Sequence, residues 1–307
     1  MRHAPTAADY DVYVALGAGR LALSALQTPG PATVLGVTSR GLFLRSSSRW
    51  ITFLSFESYL SPLTITLDGV VQKLQDASVG APIFMQSGLL LFPAVAVGVR
   101  LPSSRSWSPA MPSGNHRSPS EQLNELRTTV QQIDRHGNEG GLGPLLPYLL
   151  AMAGETRLAA AQRHMLQLVL KLKEALRRQE LVGALDAANG LLGLGPGLTA
   201  AGDDFLIGLL LLVNRWCSTN APGHFLTALN KALVEAAYRK TTTISANLIE
   251  CATRGEADER LLAMVDGIVR GSPHSASWFP PLSRWGASSG IDALCGAVVA
   301  IQLCGSR

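Results

Sequence analysis

Apolar residues near the start of the chain recur at near-helical spacing, with Val12, Leu16, Leu23 and Leu26 in phase, so residues 8–30 are expected to be helical up to the Pro29-Gly30 break. From Thr33 to Val99 the runs shorten. Thr33–Val37, Gly41–Leu44 and Trp50–Leu54 are separated by Ser, Arg and Gly, and Leu63-Thr64-Ile65-Thr66-Leu67 alternates with period two. With Pro82–Met85, Gly88–Phe92 and Ala94–Val97 they predict about seven strands of a compact antiparallel sheet or small barrel. Pro102 to Ser120 is rich in Ser and Pro. It buries too little apolar surface to offset its ordering entropy and reads as a flexible linker. Beyond it the period returns to that of a helix. Segments over 121–133 (with Ser120 as N-cap), 156–180, 181–192, 205–216, 224–238, 257–270 and 290–303 are expected helices, and another follows Thr241–Asn247 to about Arg254. The predicted architecture is α+β: a strand-rich N-terminal domain over 1–101, a linker over 102–120, and a mostly α-helical domain over 121–307.

One stretch of the helical half stands apart. Gly193-Leu194-Gly195-Pro196-Gly197-Leu198-Thr199-Ala200-Ala201-Gly202-Asp203-Asp204 runs directly into Phe205–Val213, which is apolar on every side and reads as a buried helix. The pattern recurs near the C-terminus. Ala200–Gly208 aligns without a gap onto Ser288–Gly296, matching Gly202 with Gly290, Asp204 with Asp292, Leu206 with Leu294 and Gly208 with Gly296. A glycine one turn into each helix permits close backbone contact. Two such helices packed through Gly208 and Gly296 would bring their N-termini together, and helix N-termini offer free N–H groups and partial positive charge to a phosphate or carboxylate.

The hydroxyls of Thr199, Ser288 and Ser289 are further donors for such a ligand. Asp204, Asp292 and Asp203 are the best catalytic candidates, and Asp204 and Asp292 could orient a substrate amide or hold Mg²⁺. Equally, the aspartates can do no more than complement the helix dipoles, at about 0.3–1 kcal/mol each. Asp203 points about 100° away from Asp204 around the helix, so one of the two is expected to face the site and the other to cap. Thr241–Asn247 is a third candidate wall, through Ser245 and Asn247, although hydroxyl residues also simply start helices. His274 precedes the second copy of the pattern and is a candidate acid or base, while His116 and His164 read as solvated. The substrate-binding set is thus Gly195, Gly197, Thr199, Gly202, Asp203, Asp204, Ser245, Asn247, Ser288, Ser289, Gly290 and Asp292.

Composition narrows the classes of function. Of 307 residues 47% are hydrophobic and 16% charged, a globular rather than disordered balance. The net charge of +4 comes from scattered residues without basic-aromatic interleaving, which speaks against a nucleic-acid partner and suits a small anion. No apolar run approaches the roughly 20 residues of a spanning helix, so no membrane partner is expected. Cys217, Cys251, Cys295 and Cys304 form no C-x-x-C pair and, without a secretory signal, read as reduced in a cytoplasmic protein. Phosphate-loop, dinucleotide and H-E-x-x-H patterns are missing, and Gly286-Ala287-Ser288-Ser289-Gly290 has the letters of a nucleophile elbow without a preceding strand. No cofactor is assigned beyond Mg²⁺ as an option at the carboxylates.

The motif G-L-G-P-G-L-T-x-x-G-D-D-F-L over 193–206, with the later S-S-G-x-D over 288–292, resembles the AllH/YlbF-like family. This is a bacterial domain of unknown function that includes the AllH subunit of oxamate carbamoyltransferase, of purine and allantoin catabolism. The resemblance covers the C-terminal two-thirds and is looser over the strands. The family's T-P-S-G-D-D becomes Thr199-Ala200-Ala201-Gly202-Asp203-Asp204, which removes one hydroxyl, and Ala287 stands where the family often has histidine in G-H-x-S-G. The resemblance implies carbamoyl transfer between carbamoyl phosphate and oxamate within a multi-subunit complex, with Gly195, Gly197, Thr199, Gly202, Asp203 and Asp204 matching the distinctive motif. Two alternatives stay open: a non-catalytic assembly subunit, and a stand-alone carboxylase- or lyase-type enzyme acting on another small carboxylic acid.

Overall fold

The computed structural model describes residues 10–102, 106–133, 141–152, 158–217, 223–271 and 278–304. The chain divides into two compact units, Met1–Pro109 and Ala110–Arg307. The first contains strands β1 (Asp11–Val14), β2 (Gly17–Ala18), β3 (Ala32–Thr38), β4 (Gly41–Arg45), β5 (Ile51–Ser55), β6 (Thr64–Thr66), β7 (Pro82–Gln86), β8 (Leu89–Phe92) and β9 (Val97–Arg100), with helices α1 (Arg20–Gln27) and α2 (Gln72–Gln75). They form one sheet in the order β1-β9-β8-β7-β3-β4-β5-β6-β2. It is mixed, because β1 runs parallel to β9 and β5 parallel to β6.

The sheet curls, helped by a bulge in β3 between Val34 and Gly36. Its two edges, β1 and β2, belong to one continuous stretch of chain. Between them the Ala15 N–H donates to Arg100 O (2.9 Å) and the Leu16 N–H to Thr66 O (2.8 Å). One segment thus satisfies backbone groups on both edges, which limits the exposed-edge problem of an open sheet. Leu42, Leu44, Leu54, Ile65, Leu90, Val97 and Val99 fill the core. The helix expected over 8–30 is confined to Arg20–Gln27. Asp11–Val14 is instead a strand, since β-branched and aromatic residues beside β9 gain more from its ladder than from a helical turn.

The second unit is helical: α3 (Pro119–Ile133), α4 (Leu146–Leu149), α5 (Ala160–Arg177), α6 (Leu181–Leu191), α7 (Ala201–Leu212), α8 (His224–Lys240), α9 (Thr243–Ala252), α10 (Glu259–Arg270), α11 (Phe279–Leu282) and α12 (Ser289–Cys304). A π-helical turn, Val213–Cys217, continues α7. Ser118, not Ser120, begins α3: its N–H and hydroxyl donate to the Glu121 carboxylate (2.8 and 2.6 Å), and the Glu121 N–H returns to the Ser118 hydroxyl (3.4 Å), the reciprocal bonding of a capping box. Just upstream, Ala110 O accepts from Arg215 and Ser113 O from Arg270 (2.9 and 2.8 Å), while the Arg117 N–H donates to Val269 O (2.9 Å). Among the described residues no helix is long and apolar enough to cross a membrane.

Helices α7 and α12 are the centre of this unit. Every residue of α7 is buried, as is α12 from Gly290 to Ile301, which is what two helices without a polar face require. They pack side by side and parallel. A Cβ on Gly208 would land on the Ala293 carbonyl oxygen, and one on Gly296 on the Phe205 carbonyl oxygen. Only glycine permits that backbone-to-backbone approach. Their C-terminal ends are joined by a disulfide between Cys217 and Cys304, with Cα atoms 6.3 Å apart. The expectation that all four cysteines are reduced is corrected here: helix packing brings together two residues 87 positions apart, leaving Cys251 and Cys295 buried outside any disulfide.

Candidate functional site

The N-terminal ends of α7 and α12 meet. The Thr199 and Ser289 hydroxyls lie 3.3 Å apart, each half-buried, above two fully buried carboxyls, Asp204 and Asp292. Thr199 precedes α7 because the glycine loop turns sharply. Gly193, Gly195 and Gly197 have φ of 73°, 123° and 103°, a region that side chains disfavour. Gly202 and Gly290 do different work. A Cβ on either would collide with a backbone carbonyl, that of Leu191 or of Leu282. Their N–H groups are already bonded, Gly202 to Leu194 O (3.0 Å) and Gly290 to Trp285 O (3.1 Å). The two glycines therefore hold the helix starts in place.

The three aspartates have distinct environments. Asp203 accepts from the Gly193 N–H (2.8 Å) and from the Thr241 hydroxyl, and Thr242 donates to Leu198 O (2.8 Å). Asp203 with Thr241 and Thr242 thus pins the glycine loop to the start of α9. Asp292 accepts from the Leu142 N–H (2.5 Å) and the Ser288 hydroxyl (2.9 Å). Asp204 accepts from Thr199 at Oδ2 (3.2 Å), and the nearby Ser289 hydroxyl favours the charge of the same carboxyl. Its Oδ1 is buried and has no hydrogen-bond partner among the described residues. An unpaired buried polar atom costs about 1–3 kcal/mol, so Asp204 is held there against stability.

Ionisation separates the pair. Burial pushes Asp204 up to about 8, assisted by the charges of Asp292 and Asp203 and opposed by the Ser289 and Thr199 hydroxyls. Burial raises Asp292 less, to about 6, because the Leu142 N–H and Ser288 hydroxyl stabilise its charge. At neutral pH Asp204 is mainly a neutral acid and Asp292 mainly a carboxylate. Two neighbouring carboxyls driven apart in this way are suited to different roles. Burial and Asp292 also hold the Cys295 thiol well above its usual range, so it is inert.

The other predicted residues fall as follows. Ser245 donates its N–H to the Thr242 hydroxyl (3.1 Å), and its own hydroxyl is buried with no partner among the described residues. Asn247 donates to the Tyr238 hydroxyl (2.7 Å), which donates to Glu250 (2.9 Å). Gly195 and Gly197 shape the exposed loop. His274 lies outside the described residues, and His116 and His164 are exposed. Gly141 and Leu142 were not among the candidates. The peptide between them covers Asp292, and a Cβ on Gly141 would come within 2.8 Å of the Asp292 Cγ. Their signal is Gly140-Gly141-Leu142-Gly143-Pro144, a turn that echoes the Gly193 stretch.

Among the described residues no group of three or more His, Cys, Asp or Glu side chains is placed to hold a metal. Asp203 is turned to Gly193 and Thr241, away from the Asp204–Asp292 pair. A cavity of about 130 Å³ lies at the opposite end of the helix pair, beside Cys217 and Cys304. Leu209, Leu210, Leu226, Leu229 and Leu303 help line it, and it is separate from the carboxyl pair. Comparison with curated proteins and with solved structures gave no match. Residues 191–301, from the end of α6 into α12, match the family described as oxamate carbamoyltransferase subunit AllH, so this part of the chain is similar to that family.

Proposed function

We propose that this chain is a subunit of an oxamate carbamoyltransferase-like system and binds a small anionic substrate, oxamate or carbamoyl phosphate, at the paired N-termini of α7 and α12. The observation that carries the reading is the hydroxyl pair Thr199–Ser289, 3.3 Å apart, above one neutral and one ionised carboxyl. Two ionised carboxylates would repel an anion, whereas a neutral acid at two helix N-termini lowers that repulsion and adds a donor. There is no activated nucleophile among the described residues here. The contribution to transfer would be positioning and electrostatic stabilisation. Calorimetry of the purified chain with oxamate and with carbamoyl phosphate tests this. A Thr199→Val, Ser289→Ala double variant is expected to bind at least tenfold more weakly, and unchanged affinity would overturn the site assignment.

A second reading, an assembly subunit whose motif loop meets a partner chain, is favoured by Leu198, which is 56% exposed at the tip of that loop. Transferase activity of the purified chain alone would exclude it. Activity that requires the other subunits and is lost with Leu198→Asp, while oxamate binding is kept, would favour it.

A further inference from the structure

We infer that the ligand at this site is an oxygen acceptor held by the protonated Asp204, so that a carboxylate and a proton occupy the site together. The inference rests on the anion-site reading above and specifies how the anion is recognised. Its basis is the unequal use of the two Asp204 oxygens. Oδ2 accepts from Thr199, and Oδ1 is buried with no partner among the described residues. In a neutral carboxyl the oxygen that accepts hydrogen bonds is the carbonyl, which puts the proton on Oδ1. Oδ1–H is then a buried donor without an acceptor, at the end of α7 where the half-buried Thr199 and Ser289 hydroxyls form the rim. A planar carboxylate or carbamoyl oxygen completes that bond. A cation or an ammonium group does not.

The charges around Asp204 are consistent with this. Those acting on it are Asp292 on α12 and Asp203 beside it, both acidic. The ionisable side chains of the other elements against α7 are engaged elsewhere. On α9, Glu250 is held by Tyr238 and Arg254. On α10, Asp266 is held by Arg215 and Trp216. On α6, Asp186 lines the groove shared with α5. Among the described residues of these elements no cation acts on Asp204, and the proton is what keeps the anion and the aspartate compatible. The linkage has a definite sign. A ligand that binds the protonated form alone keeps its affinity below the Asp204 transition and loses about tenfold per pH unit above it, taking up close to one proton per ligand there.

Oxamate is a suitable probe, because its carboxylate stays ionised throughout the relevant range. Full-length protein is titrated with oxamate from pH 7 to pH 9.5, above the Asp292 transition at about 6, in buffers of different ionisation enthalpy so that proton uptake is counted. The expected result is constant affinity up to about pH 7.5, a fall of roughly tenfold per unit above pH 8, and uptake approaching one proton. In Asp204→Asn, whose amide donates without titrating, the fall and the uptake should both disappear. Oxamate binding with a flat profile and no proton uptake in the wild type overturns the inference and leaves the anion-site reading standing. A fall that persists in Asp204→Asn also overturns it. Absence of oxamate binding at every pH overturns both.

Discussion

At the scale of single residues, Asp204 is the most informative position. It is a buried acid with an unbonded oxygen, set in a cluster of acids, and proteins retain such groups at a cost in stability. The cost has a pH signature. The folded-state pKa of about 8 lies above the ordinary value of 3.8. The native state therefore binds more protons than the unfolded state between roughly pH 4 and pH 8, and stability falls across that window as pH rises. Asp204→Asn removes this term. Thermal melting of both proteins is expected to show the variant gaining on the wild type from pH 5 to pH 8, by an amount on the order of a few kcal/mol at the alkaline end. Parallel pH profiles would show that Asp204 does not titrate in this range.

At the scale of elements, the parallel contact of α7 with α12 decides where the aspartates stand. Gly208→Ala and Gly296→Ala place a methyl group against a carbonyl of the facing helix. Each is expected to destabilise by about 1–3 kcal/mol, as overpacking does, and to weaken oxamate binding by parting the helix starts. The control is Gly183→Ala in α6, where the new Cβ would meet the Ala175 Cβ at an ordinary 3.4 Å. Relief of backbone entropy there should stabilise by roughly 0.4–1 kcal/mol. Denaturant titration distinguishes the two signs. The glycine pair is legible in the sequence because the repeated G-x-D-x-L-x-G pattern is local and gap-free. The pairing of the aspartates with two distant turns is not, although Thr241–Asn247 reads as a candidate wall. Leu142 reaches Asp292 across 150 positions and Thr241 reaches Asp203 across 38, and no local period encodes such pairs.

At the scale of the whole molecule, the disulfide ties together the ends of α7 and α12 opposite the aspartates. By restricting the unfolded chain over a separation of 87 residues, a bridge of this span contributes about 4–5 kcal/mol in the chain-entropy view. Reduction is expected to lower the melting temperature, and Cys217→Ser, Cys304→Ser should match the reduced wild type. Thiol counting on the unfolded, unreduced protein should find Cys251 and Cys295 only. Four reactive thiols would mean that the bridge does not form. Disulfides are rare in reducing compartments, so this pairing removes the cysteines from the case for a cytoplasmic chain.

The sequence by itself determined the α+β class, the longer helices of the second unit and the two helix starts that resemble each other. These follow from periodicity and from residues such as glycine whose constraint is local. It misread Asp11–Val14 as helix, because a short apolar run fits either period until the neighbouring strand β9 supplies a ladder. Tertiary structure alone decided that Asp203 serves the loop while Asp204 and Asp292 share the hydroxyl-capped end of the helix pair. It also set the burial that raises Asp204 further than Asp292, and it decided that Cys217 meets Cys304. Ionisation depends on burial and on the groups around a carboxyl, and cross-links depend on which chain segments meet. Both are set by packing between residues far apart in the sequence.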